Sequence, residues 1–146
     1  MFDERAAGAC VGRLMGSRGV PTVVDMKAKA DIIRDMYDAF RRRDRAVVDA
    51  ILTDDFRFTS PYDDAIDKAS WWERCWPNGD KFLEFQIKCI AEQGREAFVQ
   101  YEVTTYDSKR FNNVELFTFD DERVVRVEVY FGASYQGGVF EGKPPA

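Results

Sequence analysis

The chain has 146 residues, of which 45% are hydrophobic and 32% charged, and its formal net charge is −5. A chain of this length usually folds as a single domain. Its acidic balance argues against a nucleic-acid partner, because phosphate binding requires a basic surface stripe.

The sequence contains no histidine, which rules out Ser-His-Asp and Cys-His nucleophilic catalysis and imidazole ligation of a metal. The three cysteines, Cys10, Cys75 and Cys89, follow no metal-binding spacing and are odd in number. We therefore expect no metal site and no cofactor. No apolar run approaches the ~20 residues that span a membrane, and residues 1–20 lack the apolar core of a secretory signal. These features favour a cytoplasmic protein without a membrane partner.

Glycine and proline punctuate both ends of the chain. Residues 1–25 are predicted to be a flexible arm, with a weak indication of a helix over residues 4–14. The domain is expected to span residues 26–132. Residues 133–146, with paired glycines and paired prolines, are predicted to be a loose tail.

Three helices are predicted within the domain. The first begins near Lys27 and repeats apolar residues at spacings of three and four over residues 32–40. Asp44 is predicted to cap a second helix that carries apolar residues 47–52. Asp67 is predicted to cap a third, which ends at the turn that Pro77 begins.

Alternating apolar residues predict a strand over residues 56–60, ended by Pro61, and then two hairpins. The hairpins pair residues 82–91 with 97–106, and residues 110–119 with 123–131. Helices clustered ahead of consecutive antiparallel strands predict an α+β domain, with the helices on one face of a curved sheet.

Three segments carry a family resemblance: FRRRD, AILTDDFRFTSPYDD and FNNVELFTFDDERVVRVEVYFG. The segment ASWWERCWPNG between them is similar to a subgroup of mostly uncharacterised bacterial proteins. Through the three segments residues 26–132 resemble the nuclear transport factor 2-like, SnoaL-like superfamily. The resemblance implies a cone, in which a strongly curved, mainly antiparallel sheet wraps around about three helices and leaves a cavity. The superfamily includes ketosteroid isomerases, epoxide hydrolases, polyketide cyclases, dehydratases and binding modules, so the fold alone leaves the activity open. The resemblance also implies a homodimer through the outer sheet face.

The pattern of the fourth predicted strand singles out one acid. Alternation places Glu115 on the same face as Asn113 and three phenylalanines, and this face is expected to line the cavity. Desolvation there would raise the pKa of Glu115 towards the range of a general acid. The alternative is a structural acid that is hydrogen-bonded to Asn113, Tyr37 or Tyr101.

The resemblance implies roles for three positions. Glu115 matches the protonated acid of ketosteroid isomerases, and Tyr37 lies within one residue of their oxyanion tyrosine. Ser60 falls where those enzymes carry the proton-transferring carboxylate, and a serine without histidine cannot replace it. Asp63 or Asp64 could reach in from the following loop, although loop carboxylates are more often solvated.

The remaining pocket candidates are apolar or weakly polar. Trp72 and Trp76 fall on one helical face and are predicted either to close the cavity mouth or to anchor the third helix, whereas Trp71 turns away. The other predicted pocket residues are Ser60, Tyr101, Asn113, Phe117 and Val127. On the opposite face of the last strand, Arg126, Glu128 and Tyr130 are expected to form the dimer interface with Leu116 and Thr118.

Three functions are compatible with this pattern. The first is the binding of a small apolar or aromatic molecule, which the 14% share of aromatic residues favours. The second is general acid–base catalysis of the isomerase, dehydratase or epoxide hydrolase type, with Glu115 and Tyr37 as the polar pair. The third is an interaction protein whose cavity is filled by its own side chains.

Overall fold

The computed structural model describes residues 26–142 of the chain. The predicted arm over residues 1–25 and the end of the predicted tail, residues 143–146, lie outside these described residues. The helices are α1 (Lys29–Arg42), α2 (Arg45–Ile51), α3 (Lys68–Arg74) and a 3₁₀ helix (Trp76–Lys81). The strands are β1 (Leu52–Ser60), β2 (Asp63–Asp67), β3 (Phe82–Gln93), β4 (Glu96–Thr105), β5 (Lys109–Asp120), β6 (Arg123–Gln136) and β7 (Val139–Phe140).

Within the described residues, seven strands form one sheet in the order β2-β1-β6-β5-β4-β3, and β7 pairs with β6. The pair β1 and β6 is parallel, and the other neighbouring pairs are antiparallel. Three α-helices and this curled mixed sheet form the predicted α+β cone. None of the helices in residues 26–142 has both the length and the hydropathy to cross a membrane.

The helices begin and end where their sequences indicate. Helix α1 buries an apolar stripe of Ile32, Ile33, Met36 and Ala39 and ends at Arg43, whose φ of 62° is left-handed. The two predicted caps are confirmed. The Asp44 side chain accepts a hydrogen bond from the Val47 amide at 3.3 Å, and that of Asp67 accepts one from the Ser70 amide at 2.8 Å. Caps of this kind contribute about 1 kcal/mol each.

The core lies between α1 and the concave face of the sheet. The alternation of β4 and β5 decides which side chains enter it, and its largest members include Phe56, Phe117, Phe119, Val99 and Val103, all at most 1% exposed. Dense burial of this kind holds the strands in one register, because a slip by one residue would expose the whole apolar set.

The sheet departs from the predictions in two places. Strand β2 was missed, because DDAID carries only two apolar residues; it pairs with β1 so that Asp63 lies opposite Ser60. Strand β6 runs on to Gln136 instead of ending at residue 131, and Gly137 and Gly138, both with positive φ, turn the chain into β7. Residues 133–140 are therefore paired strand and turn, unlike the predicted loose tail.

Candidate functional site

A cavity of about 1310 Å³ lies on the concave side of the sheet. Side chains of α1, α3, β1 and β3 to β6 line it, and most of them are aromatic or aliphatic. Typical small-molecule sites have volumes of ~300–1,000 Å³. The cavity is thus large enough for a drug-sized molecule, which removes the third sequence hypothesis in its strict form, a cone filled by its own side chains.

A hydrogen-bonded network of four side chains stands in the cavity wall. Tyr37, on α1, donates to Glu115 Oε2 at 2.5 Å, and Tyr101, on β4, donates to Glu115 Oε1 at 2.7 Å. Asn113 Nδ2 in turn donates to the Tyr101 hydroxyl at 3.2 Å. All four side chains also border the cavity.

The two tyrosine rings are fixed by packing. Phe85, on β3, lies 4.6 Å from the Tyr37 ring and stacks on the Tyr101 ring at 4.7 Å, centroid to centroid. Phe117 meets the Tyr37 ring edge-on at 5.9 Å. Because the rings cannot turn freely, their hydroxyl groups remain directed at Glu115, which is the preorganisation that a polar contact with a ligand needs.

Burial controls the acidity of the network. Glu115 keeps some accessible surface because the cavity reaches it, yet its carboxyl group is surrounded by protein. Desolvation therefore raises the pKa of Glu115, and the hydrogen bonds from Tyr37 and Tyr101 oppose the shift. Burial, and next the charge of Glu115, raise the pKa of both tyrosines well above 10.0. Both tyrosines are therefore neutral hydroxyl donors at any physiological pH.

A second carboxyl group borders the same cavity. The Ser60 hydroxyl donates to Asp63 Oδ2 at 3.0 Å. Arg74 Nη2 lies 2.6 Å from Asp63 Oδ1 in an ion pair, although that oxygen accepts no aligned hydrogen bond. The Asp63 side chain is only 9% exposed, whereas Asp64 is exposed as expected. The β1–β2 turn brings Asp63 in, because it pairs this residue with Ser60.

Cys75 lies within electrostatic reach of both carboxyl groups. Its thiol borders the cavity just after α3. Burial, followed by the charge of Asp63 and more weakly that of Glu115, raises the pKa of Cys75 to about 12. A thiol with so high a pKa is protonated at neutral pH and is a poor nucleophile.

The tryptophans differ in place from their prediction. Trp71, expected to turn away, is 5% exposed and borders the cavity. Trp72 and Trp76 lie outside the lining and pack edge-on against each other at 4.9 Å. Arg45 covers the Trp72 ring at 4.4 Å, and Arg43 covers the Trp76 ring at 4.0 Å. The prediction that Trp72 and Trp76 share a helical face was wrong, because α3 ends at Arg74 and Trp76 belongs to the 3₁₀ helix.

The other predicted pocket residues divide clearly. Ser60, Tyr101, Asn113 and Val127 border one cavity together with Glu115 and Tyr37, whereas Phe117 is fully buried behind Tyr37 and does not reach it. That any of them binds a ligand stays a prediction. The sequence pattern missed Trp71, Phe58, Phe85 and Val129 as lining residues. Among residues 26–142, no group of three or more His, Cys, Asp or Glu is arranged to hold a metal ion.

Comparison with known proteins gives a family and a fold. The family model of the SnoaL-like domain matches residues 33–127. No curated protein matches the chain.

Three solved structures illustrate the similarity of fold. An NTF2-like protein of unknown function from Burkholderia pseudomallei is 24% identical, with a TM-score of 0.58 over 73% of this chain and 92% of its own. One from Cytophaga hutchinsonii is 14% identical, with a TM-score of 0.60 over 75% and 95%. An LEH-like epoxide hydrolase from M. tuberculosis is 18% identical, with a TM-score of 0.59 over 71% and 82%. At these identities the likeness concerns the fold alone.

Proposed function

The chain belongs to the SnoaL-like domain family, and we propose that it binds a small apolar or aromatic molecule in the cavity of the cone. The observation that carries this proposal is the Tyr37–Glu115 pair at the wall of a cavity whose other lining residues are mostly aromatic or aliphatic. Apolar walls supply affinity, and a few convergent polar groups fix the orientation of a ligand. The bound molecule therefore places one oxygen or nitrogen atom at this pair.

Two aromatic probes test the proposal. Trp71 borders the cavity, so its fluorescence should respond to binding of either naphthalene or 2-naphthol. In Tyr37→Phe and Glu115→Gln, the affinity for 2-naphthol should fall by up to about tenfold, the equivalent of about 1.4 kcal/mol. Affinity for naphthalene, which has no hydroxyl group, should not change.

The matched control is Tyr135→Phe, which removes the hydroxyl of a tyrosine that does not border the cavity. This variant should bind both probes as the wild type does. Absence of saturable binding of either probe would contradict the proposal, and equal loss of both in Tyr37→Phe would remove the role of the polar pair.

A second candidate function is general acid–base catalysis, which the position of Asp63 favours. The sequence lacked a carboxylate at position 60, but Asp63 accepts a hydrogen bond from Ser60 and borders the cavity. Asp63 would remove a proton from carbon next to a carbonyl group, and Tyr37 would hydrogen-bond the developing oxyanion. Epoxide opening is the alternative reaction within this class, as in the epoxide hydrolase-like protein of similar fold.

The test uses a cyclic β,γ-unsaturated ketone, whose isomerisation to the conjugated ketone changes its ultraviolet absorption. Asp63→Asn should abolish turnover and retain binding of 2-naphthol, because the amide keeps the size of the side chain but is no base. Glu115→Gln should also lower turnover while affinity stays within about tenfold. If the wild type converts neither this ketone nor a styrene oxide, the catalytic candidate fails and the binding function stands.

We also propose that the chain forms a homodimer through the convex face of β4, β5 and β6. On this face Phe98 is 42% and Tyr130 55% exposed, and Phe98, Leu116 and Glu128 stand side by side across the strands. An aromatic patch with charged neighbours suits an isologous interface. Light scattering should give a dimer for the wild type and a monomer for Phe98→Glu; a monomeric wild type contradicts the proposal.

The cytoplasmic location stays a prediction.

A further inference from the structure

We propose that Asn113 and Gly132 are positioning residues that keep the acid proton of Glu115 on Oε2, the oxygen that faces Tyr37. This inference deepens the proposed binding function and rests on it for its meaning to a ligand. Neither residue was given a role of this kind by the sequence. The positioning role follows in three steps from the hydrogen-bond geometry of the network.

The first step is a bulge between β5 and β6. Phe111 pairs with Ser134 and Asn113 pairs with Phe131, so that two residues of β6, Gly132 and Ala133, lie opposite one residue of β5. The bulge turns the Gly132 amide to the Asn113 side chain, and its nitrogen lies 3.4 Å from Asn113 Oδ1.

Only glycine fits at this bulge. A Cβ atom at position 132 would lie 2.1 Å from the Asn112 carbonyl oxygen. No side chain can be accommodated at that distance from a backbone atom unless one of the two strands shifts. Gly132 therefore secures the close approach through which its amide reaches Asn113.

The second step fixes the orientation of the Asn113 amide. A backbone N–H group can only donate, so the Asn113 atom that faces Gly132 must be the carbonyl oxygen. The NH₂ group then faces the Tyr101 hydroxyl, 3.2 Å away, and donates to it. Without the Gly132 contact, the two ends of the amide would be interchangeable.

The third step concerns the single hydrogen of the Tyr101 hydroxyl. Because this oxygen accepts from Asn113, its hydrogen is free for its acceptor among the described residues, Glu115 Oε1, at 2.7 Å. That Glu115 oxygen is thus occupied as an acceptor. When Glu115 is neutral, its own proton belongs on Oε2, which lies 2.5 Å from the Tyr37 hydroxyl oxygen.

The state of Glu115 then decides what Tyr37 offers to a ligand. A contact of 2.5 Å between two oxygens holds one hydrogen, so a protonated Oε2 donates to Tyr37, whose own hydrogen turns towards the cavity. The neutral acid therefore presents a hydroxyl donor to a carbonyl or similar acceptor on the ligand. The ionised acid draws this hydrogen back and leaves the cavity without the donor.

The side chains that pack around Glu115 are apolar or neutral, so the position of this hydrogen depends on the hydrogen-bonded network. The cross-strand neighbour on β6 is Val129, the packing ring on β3 is Phe85, and α1 and β4 contribute the two neutral tyrosines. Cys75 and Asp63 border the same cavity. Arg74 pairs with Asp63 at 2.6 Å. The other charged residues that border this cavity are Asp80, Lys81, Asp107, Lys109 and Glu141.

The test follows the protonation of Glu115 in the ligand-free protein by infrared spectroscopy. The carbonyl stretching band of the protonated acid is assigned by its loss in Glu115→Gln. Asn113→Leu leaves the hydrogen of the Tyr101 hydroxyl free to rotate away from Glu115, so the carboxylate loses part of its stabilisation and the midpoint of the titration should rise by about one pH unit. The matched control is Asn112→Leu, the same change on the next residue of β5, whose side chain pairs instead with Glu102 at 3.3 Å.

A double-variant cycle separates positioning from direct contact. If Asn113 acts through Tyr101, Asn113→Leu should add little further shift in a Tyr101→Phe background. A full shift in that background, or equal midpoints for the Asn113 and Asn112 variants, would overturn the proposal. Should Asn113→Leu fail to fold, Asn113→Asp is compared in the wild-type and Tyr101→Phe backgrounds. Charge repulsion raises the midpoint in both, so only a larger rise with Tyr101 present supports the positioning role, and equal rises overturn it.

The binding experiment remains separate from this one. The titration needs no ligand, so a shift in Asn113→Leu supports the positioning role even if neither naphthalene nor 2-naphthol binds. Conversely, a protein that binds both probes but shows no shift keeps the proposed function and loses the positioning role.

Discussion

Two of the carboxyl groups that border the cavity, those of Glu115 and Asp63, are held by the fold in opposite ways. Glu115 lies in the wall between β4 and α1, and two neutral tyrosine hydroxyls bind it. Asp63 lies at the β1–β2 turn, and a serine hydroxyl and the half-exposed Arg74 bind it. Glu115 has two neutral hydroxyl partners and burial raises its pKa, whereas Asp63 has a cationic partner in Arg74. One cavity thus contains both a candidate proton donor and a candidate base.

The comparison predicts that the network around Glu115 depends on the close approach of the β5 and β6 backbones at Gly132. Gly132→Ala would place a methyl group 2.1 Å from the Asn112 carbonyl oxygen and should destabilise the protein by up to about 3 kcal/mol, as overpacking does. Gly142→Ala is the control, since its added Cβ would meet its nearest atom, on Phe140, at an ordinary 3.6 Å. Urea unfolding measures both variants; equal stabilities would show that β5 and β6 yield easily here.

Removal of the Tyr37 hydroxyl should have the second-largest effect on stability, because this hydroxyl binds the buried Glu115. In Tyr37→Phe, Glu115 Oε2 loses its donor in a desolvated place, so the free energy of unfolding should fall by about 1–3 kcal/mol. Tyr135→Phe removes the hydroxyl of a partly exposed tyrosine outside the cavity lining and should stay within about 0.5 kcal/mol of the wild type. A similar loss in both variants would contradict a special role for the Tyr37 hydroxyl.

The stability of the wild type should depend on pH through Glu115. The pKa of Glu115 is raised above its ordinary value of 4.5 in the folded state, so the folded protein binds more protons than the unfolded chain above that pH. Its stability relative to Glu115→Gln should therefore be greatest below pH 4.5 and fall as the pH rises through the folded-state pKa. Thermal unfolding of both proteins across this range checks the sign; a difference that grows with pH would show that the two tyrosines outweigh desolvation.

Removal of the Asp63 carboxylate should give the smallest change in stability. Arg74 is 52% exposed, and exposed ion pairs contribute about 1 kcal/mol or less. Asp63→Asn keeps an acceptor for the Ser60 hydroxyl, so its unfolding free energy should differ from the wild type by no more than that amount, with less difference at high salt. A loss above about 2 kcal/mol would place Asp63 among the structural acids.

The site was predictable where a strand or helix alternates regularly. Alternation along β5 placed Asn113 and Glu115 on one face, and the spacing of α1 placed Tyr37 on its buried side. All three border one cavity, and Asn113 hydrogen-bonds Tyr101 instead of Glu115. Phe117 follows the same alternation, yet the Tyr37 ring covers it. Pattern identifies the face of an element, but it does not tell which residue of that face borders the empty space.

The site was unpredictable where the chain leaves a regular element. Asp63 enters the cavity because a short strand with little apolar content turns back onto β1. Trp76 leaves the expected helical face because α3 changes to a 3₁₀ helix after Cys75. The Gly132 amide reaches Asn113 because β6 bulges. The first and the third depend on strand pairing and the second on a change of helix type, and local periodicity records neither.

The sequence by itself determined the α+β class, the caps of α2 and α3, the two long hairpins and the acid on the concave face. These follow from local periodicity and capping chemistry, which act within a few residues of each other. Only the tertiary structure decided that the cone is hollow, that Asp63 joins Ser60, and that Glu115 receives two hydroxyl donors. The hollow and the two contacts of Glu115 arise when elements far apart in the chain pack together, and the Ser60–Asp63 contact arises when β2 pairs with β1. Packing and pairing set both the empty volume and the direction of each hydrogen bond.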